Sequence, residues 1–247
     1  MINALASETA VSISKHEFDT MLSFARAVFR LKDNPAYLQL IAAQLPETAR
    51  IKTAWPSLLM GYDFHLTDDG PKLIEINNNA GGLYIGEGRW LPQSDMPELA
   101  GTLEQRLIEM FHADWTTVAI MDEDVTAQFM YPEMQAYAEL LEKAGRKVVL
   151  VSPDDLQAEA GGLFFAGQKI DAIYNRHTDF YLESAALAHI RQAFEKGQVV
   201  LNPYPRSYAL IGDKSRMVDW WRDGLLEQCL TPEQVAQIRA EIGRAHV

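Results

Sequence analysis

The stretch that most constrains this chain runs from Gly61 to Gly82, GYDFHLTDDGPKLIEINNNAGG. Two short runs of alternating character flank a turn. Tyr62, Phe64 and Leu66 alternate with Asp63 and His65, while Ile74 and Ile76 alternate with Leu73, Glu75 and Asn77. The intervening Thr67-Asp68-Asp69-Gly70-Pro71 is turn chemistry, because Asp and Gly tolerate the left-handed backbone of a tight reversal. The pattern predicts an antiparallel hairpin. Pairing symmetric about Asp69 sets Asp63 directly opposite Glu75, with Asn77 one step along the same face. Like charges facing each other across a ladder repel. A cation or a shared proton between the carboxylates removes that cost, and oxygen donors on one rigid face suit a hard cation, Mg²⁺ above all.

The totals narrow the partners. A chain of 247 residues can bury one large core or two modest ones. A formal net charge of −12 argues against nucleic-acid and anionic-membrane partners, yet leaves room for a small basic pocket that takes a phosphorylated ligand. With Cys229 as its single cysteine, the chain has no internal disulfide and no multi-cysteine zinc site, which fits a reducing, cytoplasmic location. Its apolar run, LLEQCL, reads as a buried inert thiol. No apolar run is long enough to span a membrane, and the start MINALASETAVSISKHEF lacks a basic segment followed by an apolar one.

Ser14 and Glu17 have capping-box spacing and open a helix whose expected inner face is Phe18, Met21, Leu22, Ala25, Val28 and Phe29. A shorter helix is expected from Pro35 to Gln44, and both pack on the apolar face of the hairpin. After it, the run from Gly82 to Glu98 shows little periodicity and reads as a loop, and Thr102 with Gln105 caps the next helix. From Trp115 strands and helices alternate: TTVAIM, a helix over Pro132–Lys143, KVVLV, a small hairpin about Gly167, DAIYN, a helix over Ala185–Lys196, and QVVLN. That alternation predicts a parallel or mixed α/β sheet over roughly 115–205, with a domain boundary near 113.

Ligands of such sheets sit at the carboxyl ends of strands. Asp122-Glu123-Asp124 falls at one such end and reads as a solvated loop; Asn175-Arg176-His177-Thr178-Asp179 falls at another. Arg176 can fork onto a carboxylate or phosphate, and an Arg–Asp pair within the loop is the alternative. Structural roles are expected for His65 and His177, since neither has a second histidine at metal spacing. Gly81-Gly82 allows backbone N–H groups to approach an anion, or simply makes a tight turn. Asp213 is expected to cap a helix carrying Met217, Val218, Trp221 and Leu225. Lys214 then lies in its first turn, as a phosphate contact or an ordinary exposed lysine.

The segment GYDFHLTDDGPKLIEINNNAGG resembles the metal-binding hairpin of ATP-grasp ligases, where an Asp on one strand and a Glu-x-Asn on the next hold Mg²⁺ against ATP. Asp63, Glu75 and Asn77 match that pattern, and Gly81-Gly82 matches the glycine turn beside the acceptor site. The order of parts, with this hairpin first and an Asp213-Lys214 helix after an α/β domain, is similar to the circularly permuted ATP-grasp proteins, glutathionylspermidine synthase among them. The phrases YDFHL, LIEIN, NAGG, YNR and TDFYL are shared with an uncharacterised bacterial ATP-grasp-like group. The resemblance implies a partial ATP-grasp-like α/β fold. Its expected parts are helices plus the hairpin over 1–112, a small pre-ATP-grasp-like α/β domain over 113–212, and the start of a nucleotide lobe over 213–241.

It further implies a ligase using ATP and Mg²⁺ on a small-molecule carboxylate and a nucleophile. Asp63, Glu75 and Asn77 would hold the metal, Arg176 would orient the carboxylate, and Lys214 would touch the triphosphate. Oligomeric state is not legible. A non-catalytic ligand-binding module of the same fold is the first alternative. A hydrolase using Asp63 and Glu75 as an acid–base pair is the second, although direct opposition brings the carboxyls closer than most such pairs require. The nucleotide lobe needs a glycine-rich loop and two lysines, and residues 215–247 supply neither. The end, Ile242-Gly243-Arg244-Ala245-His246-Val247, can be encoded by the opening triplets of a common short-read sequencing adapter. The expectation is a catalytically inactive fragment with an adapter-derived tail over 242–247. Resequencing the locus should read past codon 241 into a longer frame with the glycine-rich loop and lysines, whereas a genuine stop codon after Val247 would contradict this.

Overall fold

The computed structural model describes residues 5–91, 99–222 and 224–242. Apart from Ile242, the tail expected to be adapter-derived lies outside the described residues. In chain order, α1 spans Lys15–Leu31, α2 Pro35–Ile41, β1 Gly61–Thr67, β2 Gly70–Asn77, α3 Leu83–Trp90 and α4 Leu99–Met110. Then come β3 Thr117–Met121, α5 Tyr131–Lys143, β4 Lys147–Val151, β5 Gln157–Glu159, β6 Gly162–Phe165, β7 Gln168–Lys169 and β8 Ala172–Asn175. The chain closes with α6 Ala188–Glu195, β9 Val200–Asn202, α7 Pro205–Ser207, α8 Ser215–Trp221 and α9 Pro232–Ile242. A π-helix, Tyr208–Gly212, joins α7 to α8.

These elements form two compact units whose segments interleave along the chain. One comprises Met1–Thr9, Ala54–Leu59 and Asn79–Tyr204; the other comprises Ala10–Thr53, Met60–Asn78 and Pro205–Val247. Residue 113 lies inside the first.

The first unit is built on the parallel sheet that the strand–helix alternation predicts, in the order β4-β3-β8-β9. β3 is buried along its whole length, as a parallel strand covered on both faces must be. Its core joins Val118 and Ile120 to Phe111, Trp115, Tyr137, Leu141 and Tyr174. Phe111 and Tyr174 meet edge to face at 5.6 Å. The chain steps from β3 outward to β4 and then back past β3 to β8, so the winding direction reverses between β3 and β8. The small hairpin about Gly167 forms as expected and belongs to a three-stranded antiparallel sheet, β5-β6-β7. Two local expectations are corrected here. The run after Gly82, expected as loop, contains α3, because its first amides are capped by a residue distant in sequence. Helix α4 starts at Leu99, so Thr102 lies within it rather than capping it.

The second unit centres on the β1–β2 hairpin. Asp63 pairs with Glu75 as the symmetric register predicts, but the register shifts between Asp63 and Phe64, where Ile74 is the extra residue of a bulge. From there to the turn the pairing is Phe64 with Leu73 and Thr67 with Gly70. The bulge corrects the face assignment. Leu73, placed beside Glu75 by strict alternation, is fully buried, and Ile74 is turned out to 41% exposure. The predicted capping box of α1 is present, with Glu17 N–H donating to Ser14 Oγ at 3.1 Å and Ser14 N–H to Glu17 Oε2 at 2.7 Å. The inner face of α1 is Phe24, Ala27, Val28 and Leu31, whereas Phe18 and Phe29 point outward. Phe24 sets that rotation by packing edge-on against Phe64 at 5.7 Å. Among the described residues no helix is long and apolar enough to cross a membrane.

Glu241, near the end of α9, is buried to 4% exposure. Its Oε1 accepts a hydrogen bond from Gln237 at 2.9 Å, and its Oε2 has no hydrogen-bond partner. Burial pushes this carboxyl up to about 7, against the Gln237 bond and the charge of Lys72. The folded chain therefore keeps a proton that the unfolded chain gives up, and stability falls as pH rises from about 4.5 through about 7. In urea melts, the stability of wild type relative to Glu241→Gln should drop between pH 5 and 8 by on the order of 2 kcal/mol. A difference that stays constant with pH would contradict the burial argument.

Candidate functional site

Asp63, Glu75, Asn77 and Lys214 come together in the second unit. The ladder sets the two carboxylates opposite each other, and the alternation of β2 returns Asn77 to their face. Asn77 Nδ2 donates to Asp63 Oδ2 at 3.0 Å and to Glu75 Oε1 at 3.2 Å, so one carboxamide bridges both acids. Lys214 Nζ lies 2.8 Å from Glu75 Oε2. Both donors relieve the repulsion, but unequally. Burial, together with the Glu75 charge, pushes Asp63 above the usual carboxylate range, and the Asn77 hydrogen bond offsets part of this. Glu75 is held below it by hydrogen bonds from Lys214 and then from Asn77. The Lys214–Glu75 pair is largely solvent-exposed, so it contributes at most about 1 kcal/mol and is easily exchanged for another cation.

Lys214 reaches this face from the end of the π-helix. Asp213 has extended backbone and its Oδ1 accepts from Ser215 N–H at 2.9 Å, but α8 begins at Ser215, so Lys214 stands at the N-cap position just before the first turn rather than within it. Within that helix Met217 is buried, while Val218 is 38% exposed. His65 pairs across the ladder with Lys72, nearer the turn, and joins no ligand group. Among the described residues no cluster of three or more His, Cys, Asp or Glu is placed to hold a metal; the set here is two carboxylates and a carboxamide. Cys229 is half-buried, its thiol pushed up by burial, and its Sγ lies 3.2 Å from the Leu225 carbonyl.

Arg176, Gly81 and Gly82 come together in the first unit, around a residue that sequence reasoning missed. Arg176 Nη1 donates to the carbonyls of Asn79 and Ala80, the latter at 2.5 Å, while Asn79 Nδ2 donates back to the Arg176 carbonyl at 2.8 Å. The guanidinium also lies over the Tyr174 ring, 5.8 Å from its centroid. The anion at the Gly82 amide is Glu133, from α5 and only 2% exposed. Gly82 N–H donates to both of its carboxylate oxygens at 2.9 and 2.8 Å, and Tyr84 N–H to Oε1 at 3.1 Å. Glu133 thus caps α3 from outside, where the helix dipole favours negative charge. A Cβ on Gly81 would lie 2.7 Å from Arg176 Nη2, 3.0 Å from Met130 Cε and 3.2 Å from Glu133 Oε2, so a side chain there would have to displace the ends of these three. The signal for Glu133 was a carboxylate on the buried stripe of α5, in line with Tyr137 and Leu141 at intervals of four.

The loop alternative for Arg176 is not used: Asp179 accepts instead from the amides of Glu183 and Ser184, at 3.1 and 2.7 Å. Asp122, expected in a solvated loop, is buried to 9% exposure. Burial pushes its carboxyl up, against the Glu123 amide and the charges of Arg176 and His177. His177 is buried too and accepts from Asp179 N–H at Nδ1, a structural role.

No family model and no curated protein sequence matches the chain. A solved structure does: a glutathione synthetase-like effector from Globodera pallida in its apo form, with a TM-score of 0.59 and 13% identity. The fold is glutathione synthetase-like. The match covers 93% of this chain and 61% of that structure, so the chain spans about three-fifths of its length. At this identity the likeness speaks for fold alone, and it supports the mixed α/β, ATP-grasp-like architecture implied by the hairpin motif at that coarse level.

Removing the Glu133 carboxylate leaves part-buried amides without an acceptor, a loss of about 1 kcal/mol. In Glu133→Ala, hydrogen exchange at Gly82 and Tyr84 should accelerate strongly while β3 amides stay protected; unchanged exchange at both would contradict the capping role.

Proposed function

We propose that these residues belong to an ATP- and Mg²⁺-dependent ligase that activates a carboxylate as an acyl phosphate and passes the acyl group to an amine or similar nucleophile. The observation that carries the reading is Asp63 facing Glu75 with the Asn77 carboxamide bridging them, on a glutathione synthetase-like fold. The donor set fits Mg²⁺. The Asn77 nitrogen already occupies a point within hydrogen-bonding distance of both acids, and the same carboxamide turned over presents an oxygen there. Mg²⁺ bound by this set would supply neutralisation of charge on the phosphoryl group being transferred.

In this reading a carboxylate oxygen of the acceptor bonds to the γ-phosphorus of ATP as the bond to the bridging oxygen breaks and ADP leaves. The nucleophile then adds at the carbonyl carbon and expels phosphate. Lys214, released from Glu75, would contact the triphosphate, and its exposure makes that exchange inexpensive. Arg176 would orient the acceptor carboxylate, its guanidinium fixed by the Asn79 and Ala80 carbonyls.

The test begins with this chain. Titration with Mg²⁺, alone and with ATP, should shift the Asn77 side-chain amide resonances, and Asp63→Asn and Glu75→Gln should abolish the shift. Asn77 resonances indifferent to saturating Mg²⁺ and ATP would overturn the metal assignment. In any longer frame that resequencing recovers, phosphate release that requires ATP, a carboxylate and an amine together distinguishes a ligase from a non-catalytic module, which would bind Mg²⁺ without turnover.

A further inference from the structure

The residue after the Asn77 bridge is buried and faces the element that delivers Lys214. Asn78 is fully buried, and its Nδ2 donates to Ser207 Oγ at 3.0 Å. Its Oδ1 has no hydrogen-bond partner and looks onto the backbone of Gly212. A Cβ at Gly212 would lie 2.0 Å from that oxygen, 3.1 Å from Asn78 Cγ and 3.0 Å from Tyr208 Cδ2. Asn78 cannot yield, since it is short, enclosed and tied to Ser207. The π-helix therefore closes onto Asn78 only because residue 212 has no side chain. Its wide turn, sealed by Asp213 N–H on the Tyr208 carbonyl at 2.9 Å, ends two residues before Lys214.

We propose that Asn78 and Gly212 form a seat that positions Lys214 against Glu75. Glu75 on β2 precedes Asn78, just past the end of that strand, by three residues, and Lys214 follows Gly212 by two, so the buried contact fixes both partners of the exposed ion pair. The ion pair cannot do this for itself. Its side chains lie at the surface, where such a pair contributes at most about 1 kcal/mol, less than ordering a lysine and its backbone costs. An interdigitated contact with no room for even a Cβ discriminates between backbone positions far more sharply. The triple asparagine then divides its work: Asn77 bridges the acids, Asn78 seats the lysine element, and Asn79 bonds the Arg176 carbonyl. Asn78 and Gly212 are positioning residues, and their use in catalysis rests on the ligase reading above. The seat itself does not.

Zero-length carbodiimide coupling of the full chain tests it. Lys214 and Glu75, 2.8 Å apart, should form an isopeptide bond detectable as a linked peptide. The Lys15–Asp19 pair on α1, at 2.5 Å, serves as an internal reference. Gly212→Ala and Asn78→Ala should lower the Lys214–Glu75 yield severalfold without changing the reference, and Ser207→Ala should lower it less. A purely stabilising role would lower the melting temperature of these variants but leave the yield of the folded protein unchanged. If Gly212→Ala does not fold, the two milder variants decide. Wild-type yield in every folded variant would overturn the seat. A lost yield with Asn77 indifferent to Mg²⁺ would uphold the seat and sink the ligase reading.

Discussion

Two carboxylates held face to face across one rung of a hairpin are the constraint on which the rest of the site depends. Asp63 and Glu75 repel, and at side-chain separations near a protein surface such a repulsion amounts to about 1–4 kcal/mol. The ladder prevents them from moving apart, so the chain must place positive charge or hydrogen-bond donors between them. It does so with the Asn77 carboxamide and with Lys214, one from the same strand and one from the far end of the sequence. The bulge at Ile74 makes this compatible with folding. Without the extra residue, Leu73 would share the polar face with Glu75; with it, Leu73 enters the core while Glu75 stays opposite Asp63.

What the sequence made legible was whatever depends on neighbours in the chain. The hairpin, its turn, the Asp63–Glu75 register, the Ser14–Glu17 capping box and the parallel strands of the α/β sheet all follow from spacing and local chemistry. What it concealed depends on partners far away. Helix α3 takes the acceptor for its first amides from Glu133, on α5. The face of α1 is turned by the Phe24–Phe64 contact, and no periodicity within α1 distinguishes that face from one carrying Phe18 and Phe29. The bulge escaped for a related reason: adjacent Leu73 and Ile74 are equally apolar, and only packing decides which of them goes inside.

The residues that the sequence singles out divide between the units. Asp63, Glu75, Asn77 and Lys214 share one, and Arg176, Gly81 and Gly82 share the other with Glu133. In each group a charged side chain engages a partner of opposite polarity from this chain. Lys214 pairs with Glu75, Arg176 with backbone carbonyls, and Glu133 with backbone amides. The two clamps differ in depth. Glu133 is buried and structural, whereas Lys214 is exposed and exchangeable. That difference is why, in the proposed function, an incoming cation is assigned to the hairpin face rather than to the glycine turn.

The central claim is that the Asp63–Glu75 opposition is a strained cation receptor. Thermal unfolding of wild type and Asp63→Asn at neutral pH, each with EDTA and with excess Mg²⁺, tests it most directly. The account predicts that Asp63→Asn is at least as stable as wild type in EDTA, because a repulsion is removed, and that Mg²⁺ raises the melting temperature of wild type alone. A variant less stable than wild type in EDTA, with Mg²⁺ affecting both proteins equally, would contradict it.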